Sequence, residues 1–231
     1  MSNASLFYTL IGGAKVHIQE DAVGFWSPAT AAINWCERDY AVSYFVAEFW
    51  NTLSNALYVV VGLRALLNTQ RCPWQISAAA LCCVFTGIFS GLFHASLQAH
   101  YQRIYEVFEN GILVLFCHDR TTSTLVHIGV MATGVLVVDS FRFAELHLVF
   151  MIAFTIYRFL QIARDAPAAT AAVHRAAMVT VGGFFCWLLD RVGCHVVSPM
   201  NPQLHAWWHL ATAVALHYGF TALFILKSKV E

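Results

Sequence analysis

Two histidines lie four residues apart in the stretch LHAWWHL, where His205 and His209 flank a pair of tryptophans. On an α-helix, residues four apart lie one turn above each other on the same face, so both imidazoles can bind one metal ion. A catalytic zinc usually takes three protein ligands and leaves a fourth position for water. The pair therefore predicts part of a metal site that needs a third ligand from elsewhere. The alternative interpretation is two packed or interfacial histidines.

A second group of polar residues lies in NWCERDYAVSYFVAEFW, where Asn34, Glu37 and Asp39 occupy a short loop and Glu48 follows about two turns into an apolar helix. An unpaired carboxylate in apolar surroundings is costly, so Glu48 requires a cation. Calcium takes about six to eight oxygen ligands, and carboxylates and amides of this kind supply them. The alternatives are pairing of Glu48 with Arg38, protonation of Glu48, and simple solvation of the loop acids.

The elements that position these residues are predicted to be membrane-spanning helices. Of the 231 residues, 59% are hydrophobic and 11% are charged, which is about half the charged fraction of a soluble domain. The net charge is zero, and no basic patch indicates a nucleic-acid partner. The sequence predicts an all-α fold, a seven-transmembrane-helix bundle, with spans near residues 42–67, 75–97, 103–118, 122–138, 143–161, 172–192 and 205–226.

The distribution of lysine and arginine predicts the orientation of this bundle. Alternate loops divide the 13 basic residues unevenly, and the larger share falls on the side of the C-terminus. By the positive-inside rule the C-terminus is cytosolic and the N-terminus is lumenal or outside. Residues 1–41 then form a lumenal segment that contains the acidic loop, and residues 42–231 form the bundle. His94, Glu106, His205 and His209 fall at the same lumenal pole, which makes His94 the third candidate ligand.

Four blocks of sequence together resemble the alkaline ceramidase family, whose members are seven-helix integral membrane amidases of the endoplasmic reticulum and Golgi. The blocks stand in the family's order, and the resemblance covers about residues 24–215. They are GFWSPATAAINWCERDYAVSYFVAEFWNTLSN at 24–55, SGLFHASL at 90–97, WLLDRVGC at 187–194 and LHAWWHL at 204–210.

The resemblance implies a zinc site and its chemistry. The family binds zinc through a histidine late in its second helix and an H-x-x-x-H at the start of its seventh, which match His94, His205 and His209. A serine one turn before the first histidine matches Ser90 and is expected to help polarise the scissile carbonyl.

The resemblance also implies a calcium site in the loop before the first helix. Its positions match Asn34, Trp35 through the backbone carbonyl, Glu37, Asp39 and Glu48. Asn34 stands where the family often has aspartate, and Asp39 stands where the family has asparagine. The two differences offset each other, so the formal charge of the ligand set is kept. Cys36 and Cys194 both fall on the predicted lumenal side, and the resemblance supports a disulfide between them.

One position departs from the family pattern. The family has an aspartate eleven residues after the helix-two histidine that orients or deprotonates the attacking water, and this chain has Tyr105 there. Glu106 is adjacent, and a one-residue shift in the preceding loop would bring it into place. Glu109 lies one turn below Tyr105 and is the other carboxylate available.

The resemblance therefore predicts a zinc-dependent, calcium-supported ceramidase. The enzyme would hydrolyse the amide of ceramides, lipid substrates in the membrane, to a sphingoid base and a free fatty acid. Glu106 is the preferred proton acceptor. The alternative is a weakly active or inactive lipid-binding or receptor-like bundle that keeps zinc as a structural clamp.

Overall fold

The computed structural model describes residues 22–31, 33–69, 72–116, 144–197, 200 and 202–227. Within these ranges the chain is helical and forms no β-sheet, with one isolated bridge between Ser43 and Val46. The predicted all-α class is confirmed for this part of the chain. The predicted span at 122–138 and the N-terminal residues 1–21 lie outside the described residues. The seven-helix count and the orientation therefore stay predictions.

Seven α-helices and one 3-10 turn occur in the described residues, and their bounds follow. They are α1 Phe49–Ser54, α2 Ala56–Leu67, α3 Trp74–Ser96, α4 Ala99–Phe116, α5 Ala144–Asp165, the 3-10 turn Pro167–Ala169, α6 Thr170–Val197 and α7 Leu204–Lys227. The predicted spans near 75–97 and 205–226 agree closely with α3 and α7. Two helices are longer than the spans predicted near 103–118 and 172–192. Helix α4 begins earlier, at Ala99, and α6 continues to Val197.

Three helical segments of the described chain are long and apolar enough to cross a membrane, namely Trp74–Ser96, Pro167–Val197 and Leu204–Leu226. Large apolar side chains such as Leu81, Phe85 and Phe185 are exposed on them. Because such faces are unfavourable in water and favourable in lipid, they confirm the prediction of a membrane protein.

The first helix begins later than the hydropathy predicts, so the placement of Glu48 two turns into a helix is wrong. Glu48 is the residue before α1, with an extended backbone. The backbone N–H groups of Ala47 and Glu48 donate to the carbonyls of Ala95 and His94, at 2.9 and 3.0 Å. These carbonyls stand at the C-terminal end of α3, where helix carbonyls lack intrahelical partners. The loop therefore pairs with α3 before a helix can start.

Helices α2 and α3 approach each other closely through two glycines. A Cβ atom at Gly62 would lie 2.8 Å from the carbonyl oxygen of Ala80. A Cβ atom at Gly87 would lie 2.9 Å from the carbonyl oxygen of Asn55. Small residues of this kind let helix backbones approach in a membrane. This packing holds the α1–α2 segment against α3, next to His94.

A group of buried side chains, here called the tryptophan cluster, lies where the N-terminal loop meets α3, α6 and α7. It consists of Ala31, Trp35, Ala47, Phe93, Leu97, Trp187 and Trp208. Phe93 precedes His94 and Trp208 precedes His209. The cluster therefore fixes the two helices at the point where their histidines face each other.

Candidate active site

Three histidines from two helices come together beside the tryptophan cluster. His94 near the end of α3 and His205 and His209 in the first turns of α7 are all buried. One ligand atom from each lies within 4.8 Å of the others. Within the described ranges this is the only such group of histidine, cysteine or carboxylate side chains. The group has the donor set of a three-histidine metal site.

Partners on the far side of two imidazoles favour metal binding by the remaining nitrogens. Nδ1 of His94 lies 2.5 Å from Oε2 of Glu48, and an ionised carboxylate can only accept, so Nδ1 donates. Nδ1 of His209 lies 2.8 Å from Oγ of Ser54, whose hydroxyl already donates to the carbonyl of Asn51 at 2.9 Å. Nδ2 of Asn55, which can only donate, also lies 3.3 Å from Nδ1 of His209. The carboxylate behind His94 fixes the tautomer of that ring, and because Nδ1 of both rings is occupied by partners, Nε2 is left for a metal.

His205 is held in a different way. Its ring stacks on Trp35, with centroids 3.6 Å apart and an interplanar angle of 18°. Its Nδ1 is buried and has no hydrogen-bond partner among the described residues. A buried nitrogen without a partner is costly. This unsatisfied donor or acceptor, together with the oriented rings of His94 and His209, fits a metal ion held by all three histidines.

The carboxylates of Glu37 and Glu48 in the acidic loop accept hydrogen bonds mainly from backbone N–H groups. Both oxygens of Glu37 accept N–H bonds from the start of α1, from Trp50 at 2.7 Å and from Asn51 at 2.8 Å. Burial raises the pKa of Glu37 to about 7, and the two N–H donors act in the opposite direction. Glu48 accepts from the backbone of Trp35 and from the side chain of Asn51, each at 3.0 Å. Both acids thus brace the loop against α1.

The remaining acidic position pairs with the amide of the same loop. Nδ2 of Asn34 donates to Oδ2 of Asp39 at 2.8 Å. Oδ1 of Asn34 is buried and has no hydrogen-bond partner within the described ranges. An amide oxygen of this kind fits a calcium ligand. Arg38 is exposed while the Glu48 side chain is fully buried, so the partner of Glu48 is His94 rather than Arg38.

A disulfide joins this loop to α6. Cys36 and Cys194 are bonded, with Cα atoms 5.5 Å apart. Asp190, one turn before Cys194, accepts the backbone N–H of Cys36 at 3.0 Å and interacts with the backbone of His205. Sequence analysis missed this role of Asp190. A buried acid in an apolar helix, within the quoted block WLLDRVGC, is the signal that indicates it.

The residues that the sequence predicted for catalysis lie on α3 and α4. Ser90 is buried one turn before His94. The Tyr105 ring lies 5.6 Å from the Phe93 ring, so it faces the tryptophan cluster. Glu106 accepts from Nε2 of the buried Gln102 at 2.9 Å. Glu109 lines a pocket to which Tyr58 and Trp208 also belong. The structure thus gives the two carboxylates different surroundings.

These features define a membrane-embedded helical protein with a buried three-histidine group that can hold a metal ion. Comparison with known proteins gives the family. A family profile described as Ceramidase matches residues 27–231. An alkaline ceramidase of Arabidopsis thaliana is 32% identical over 223 residues, covering 89% of this chain and 87% of the relative. Alkaline ceramidase 3 of Mus musculus is 26% identical over 230 residues, covering 87% and 86%.

A third relative, an alkaline ceramidase of Drosophila melanogaster, is 25% identical over 234 residues and covers 89% of this chain and 81% of its own length. The chain belongs to the ceramidase family. The family resemblance stated from the four sequence blocks and the prediction of a ceramidase-type hydrolase are therefore confirmed.

Proposed function

We propose that this protein hydrolyses the amide bond of ceramides to a sphingoid base and a free fatty acid, using zinc held by His94, His205 and His209. The observation that carries the proposal is the buried histidine group, in which partners orient two rings and the third has a nitrogen without a partner. Zinc, when bound, lowers the pKa of a water ligand and polarises a carbonyl. Membership of the ceramidase family supports the choice of reaction.

The protein's own side chains have defined roles in this proposal. Glu48 keeps the imidazole of His94 in the tautomer that binds metal through Nε2, and Ser54 contacts Nδ1 of His209 and orients that ring. Ser90, buried one turn before His94, donates a hydrogen bond to the oxygen of the scissile carbonyl as negative charge develops on it. Glu106 accepts the proton of the attacking water and later passes it to the leaving amine. Gln102 donates a hydrogen bond to that carboxylate and orients it.

The assignment of the proton acceptor is tested by substitution on α4. Replacing Glu106 with alanine should lower the turnover number by about 100-fold or more, which is the usual contribution of a general base. The matched change Tyr105→Phe removes one hydroxyl from the position where the family has aspartate, and we expect less than about threefold loss. Steady-state release of fatty acid measures both variants. A larger loss in Tyr105→Phe than in Glu106→Ala would refute the assignment.

A calcium ion is proposed at the acidic loop, with Asn34, Trp35 through its carbonyl, Glu37, Asp39 and Glu48 as ligands. The buried Oδ1 of Asn34, and the hydrogen bond from Nδ2 of Asn34 that holds Asp39 beside it, support this placement. Calcium should raise the melting temperature of the purified protein, and Asp39→Ala should remove that increase. Equal melting temperatures with and without calcium in the unmodified protein would count against the site.

We also propose the endoplasmic reticulum or Golgi as the location, with residues 1–41 in the lumen. The Cys36–Cys194 disulfide supports an oxidising compartment on the side of the loop. Fluorescence microscopy of the tagged full-length protein should overlap with markers of these organelles. Exclusive overlap with plasma-membrane or mitochondrial markers would contradict the assignment.

The function itself is tested by incubating purified protein with a panel of ceramides in detergent micelles. Sphingoid base and fatty acid should appear in equal amounts, a chelator should stop their release, and added zinc should restore it. The second candidate function, a lipid-binding or receptor-like bundle with structural zinc, is favoured by Tyr105 at the aspartate position. Stoichiometric zinc with no turnover over hours would support that candidate and reject hydrolysis.

A further inference from the structure

A pocket among α2 to α7 contains polar groups that the proposed reaction does not use. Its cavity volume is about 100 Å³, it is partly open to the surface, and most of its lining is apolar. Tyr58 and Trp208 belong to the lining. The Tyr58 ring lies 5.9 Å from the His209 ring, and Trp208 precedes His209 in α7. One end of the pocket is therefore next to the histidine group.

The hydroxyl groups of the pocket differ in whether they are satisfied. Oγ1 of Thr155 donates to the carbonyl of Met151, and Oγ1 of Thr180 donates to the carbonyl of Ala176, each at 2.8 Å. Oγ1 of Thr212 donates to the carbonyl of Trp208 and also contacts the Tyr58 hydroxyl. Threonine hydroxyls in membrane helices commonly bond to the preceding turn in this way.

Thr86 is the exception among the pocket's threonines. It is only 4% exposed, and its hydroxyl has no hydrogen-bond partner within the described part of the chain. Glu109 of α4 lines the same pocket. Phe85 and Phe108, the residues before them, stack with centroids 4.9 Å apart, so the two helices are in contact at this level. An ionisable side chain inside an apolar bundle usually has a function.

We propose that Thr86 and Glu109 form a specificity site for a hydroxyl group carried on one hydrocarbon chain of the lipid substrate. A chain hydroxyl donates to the carboxylate and accepts from the threonine, which satisfies both groups at once. The rest of the pocket takes the apolar part of the same chain. The inference rests on the proposed function for the identity of the lipid, and it adds the feature of that lipid that the bundle selects.

The test uses equilibrium binding to chelator-treated protein, so it does not depend on turnover. Three ceramides of equal length are compared: one without an added chain hydroxyl, one hydroxylated on the acyl chain, and one hydroxylated on the sphingoid chain. We expect one hydroxylated ceramide to bind about tenfold or more tightly than the plain one, because it pairs the buried Thr86 hydroxyl that is otherwise unsatisfied. The arm that binds tightly shows which chain occupies the pocket.

Two pocket threonines provide a matched pair of variants. Thr86→Val removes the unsatisfied hydroxyl and should reduce the preference at least fivefold. Thr180→Val is the same change at a hydroxyl already bonded to the backbone, and the preference should be unchanged. Glu109→Gln keeps the shape of the side chain but replaces its carboxyl group with an amide, so the preference should fall to an intermediate value.

Several results would overturn the inference. The unmodified protein binding all three ceramides equally would do so, as would equal preferences in Thr86→Val, Thr180→Val and the unmodified protein. A uniform loss of affinity for all three lipids in Thr86→Val would show a general packing role. Failure of the proposed function is a separate result, because it appears as absence of fatty-acid release from every ceramide in the metal-loaded protein.

Discussion

The histidine group and the acidic loop lie side by side, but they are built in different ways. The histidines stand on two long helices, and the helical repeat alone places His205 above His209. The acids lie in a loop whose backbone bonds to the end of α3, and the Glu37 carboxylate in it accepts an N–H from the start of α1. The two helices place their histidine side chains at one point. In the loop, backbone groups and carboxylates form hydrogen bonds with α3 and α1 instead. The difference explains why the histidine ligand atoms converge more tightly than the carboxylates.

Glu48 connects the two regions. One of its oxygens contacts Nδ1 of His94, and the other accepts the backbone N–H of Trp35 in the loop. The Trp35 ring in turn stacks on His205. The loop therefore orients two of the three histidines, although it contributes none of them. We therefore expect a substitution in the loop to weaken metal binding most when the replaced side chain contacts one of the imidazoles.

The largest effect is expected inside the histidine group. His94→Ala should lower zinc affinity by more than about 100-fold, since it removes a ligand rather than a partner behind a ligand. Hydrolysis should be lost with the metal. His100→Ala, at an exposed histidine in the first turn of α4, is the control and should keep both properties. Zinc content after dialysis against a competing chelator measures the difference, and normal zinc binding in His94→Ala would show that His94 is not a ligand.

A smaller effect is expected from the covalent connection of the loop. Replacing Cys36 and Cys194 together with serine should reduce the free energy of unfolding by about 2–5 kcal/mol, because the disulfide restrains a long segment of the unfolded chain. Cys186→Ser, at a cysteine that is not disulfide-bonded, should cost much less. Thermal unfolding in detergent compares the two. Equal melting temperatures for the double variant and the unmodified protein would show that the loop is held by its hydrogen bonds alone.

The smallest difference is expected between substitutions of the two buried glutamates, Glu48 and Glu37. Glu48→Gln should weaken zinc binding by about 10- to 100-fold, the usual cost of losing a partner behind a metal-bound histidine. Glu37→Gln alters the bonds to the start of α1 and should mainly lower the melting temperature. Zinc affinity and thermal unfolding are measured on both variants. A similar loss of zinc affinity in both would show that the loop acts on the metal site as a whole.

Sequence patterns predicted the helical parts of this site better than the loop. The helical repeat gives the spacing of His205 and His209. The lengths of α3 and α7 and the depth of His94 in the bundle follow from runs of apolar residues, which can be read directly from the sequence. The start of α1 after Glu48 could not be predicted, because it depends on hydrogen bonds from residues 47 and 48 to carbonyls 46 to 48 positions away in sequence. The contact of Glu48 with His94 and the role of Asp190 likewise depend on tertiary packing. Family membership, in contrast, was visible in four short blocks.

X-ray absorption spectroscopy of the purified, zinc-loaded protein identifies the ligands of the metal. Zinc held by His94, His205 and His209 should show three imidazole nitrogens at about 2.0–2.1 Å and one further light-atom ligand, with no sulfur. The His209→Ala variant should lose one imidazole from that shell or fail to retain zinc. A shell of oxygen ligands alone, or one that contains cysteine sulfur at about 2.3 Å, would contradict a metal centre at the histidine group.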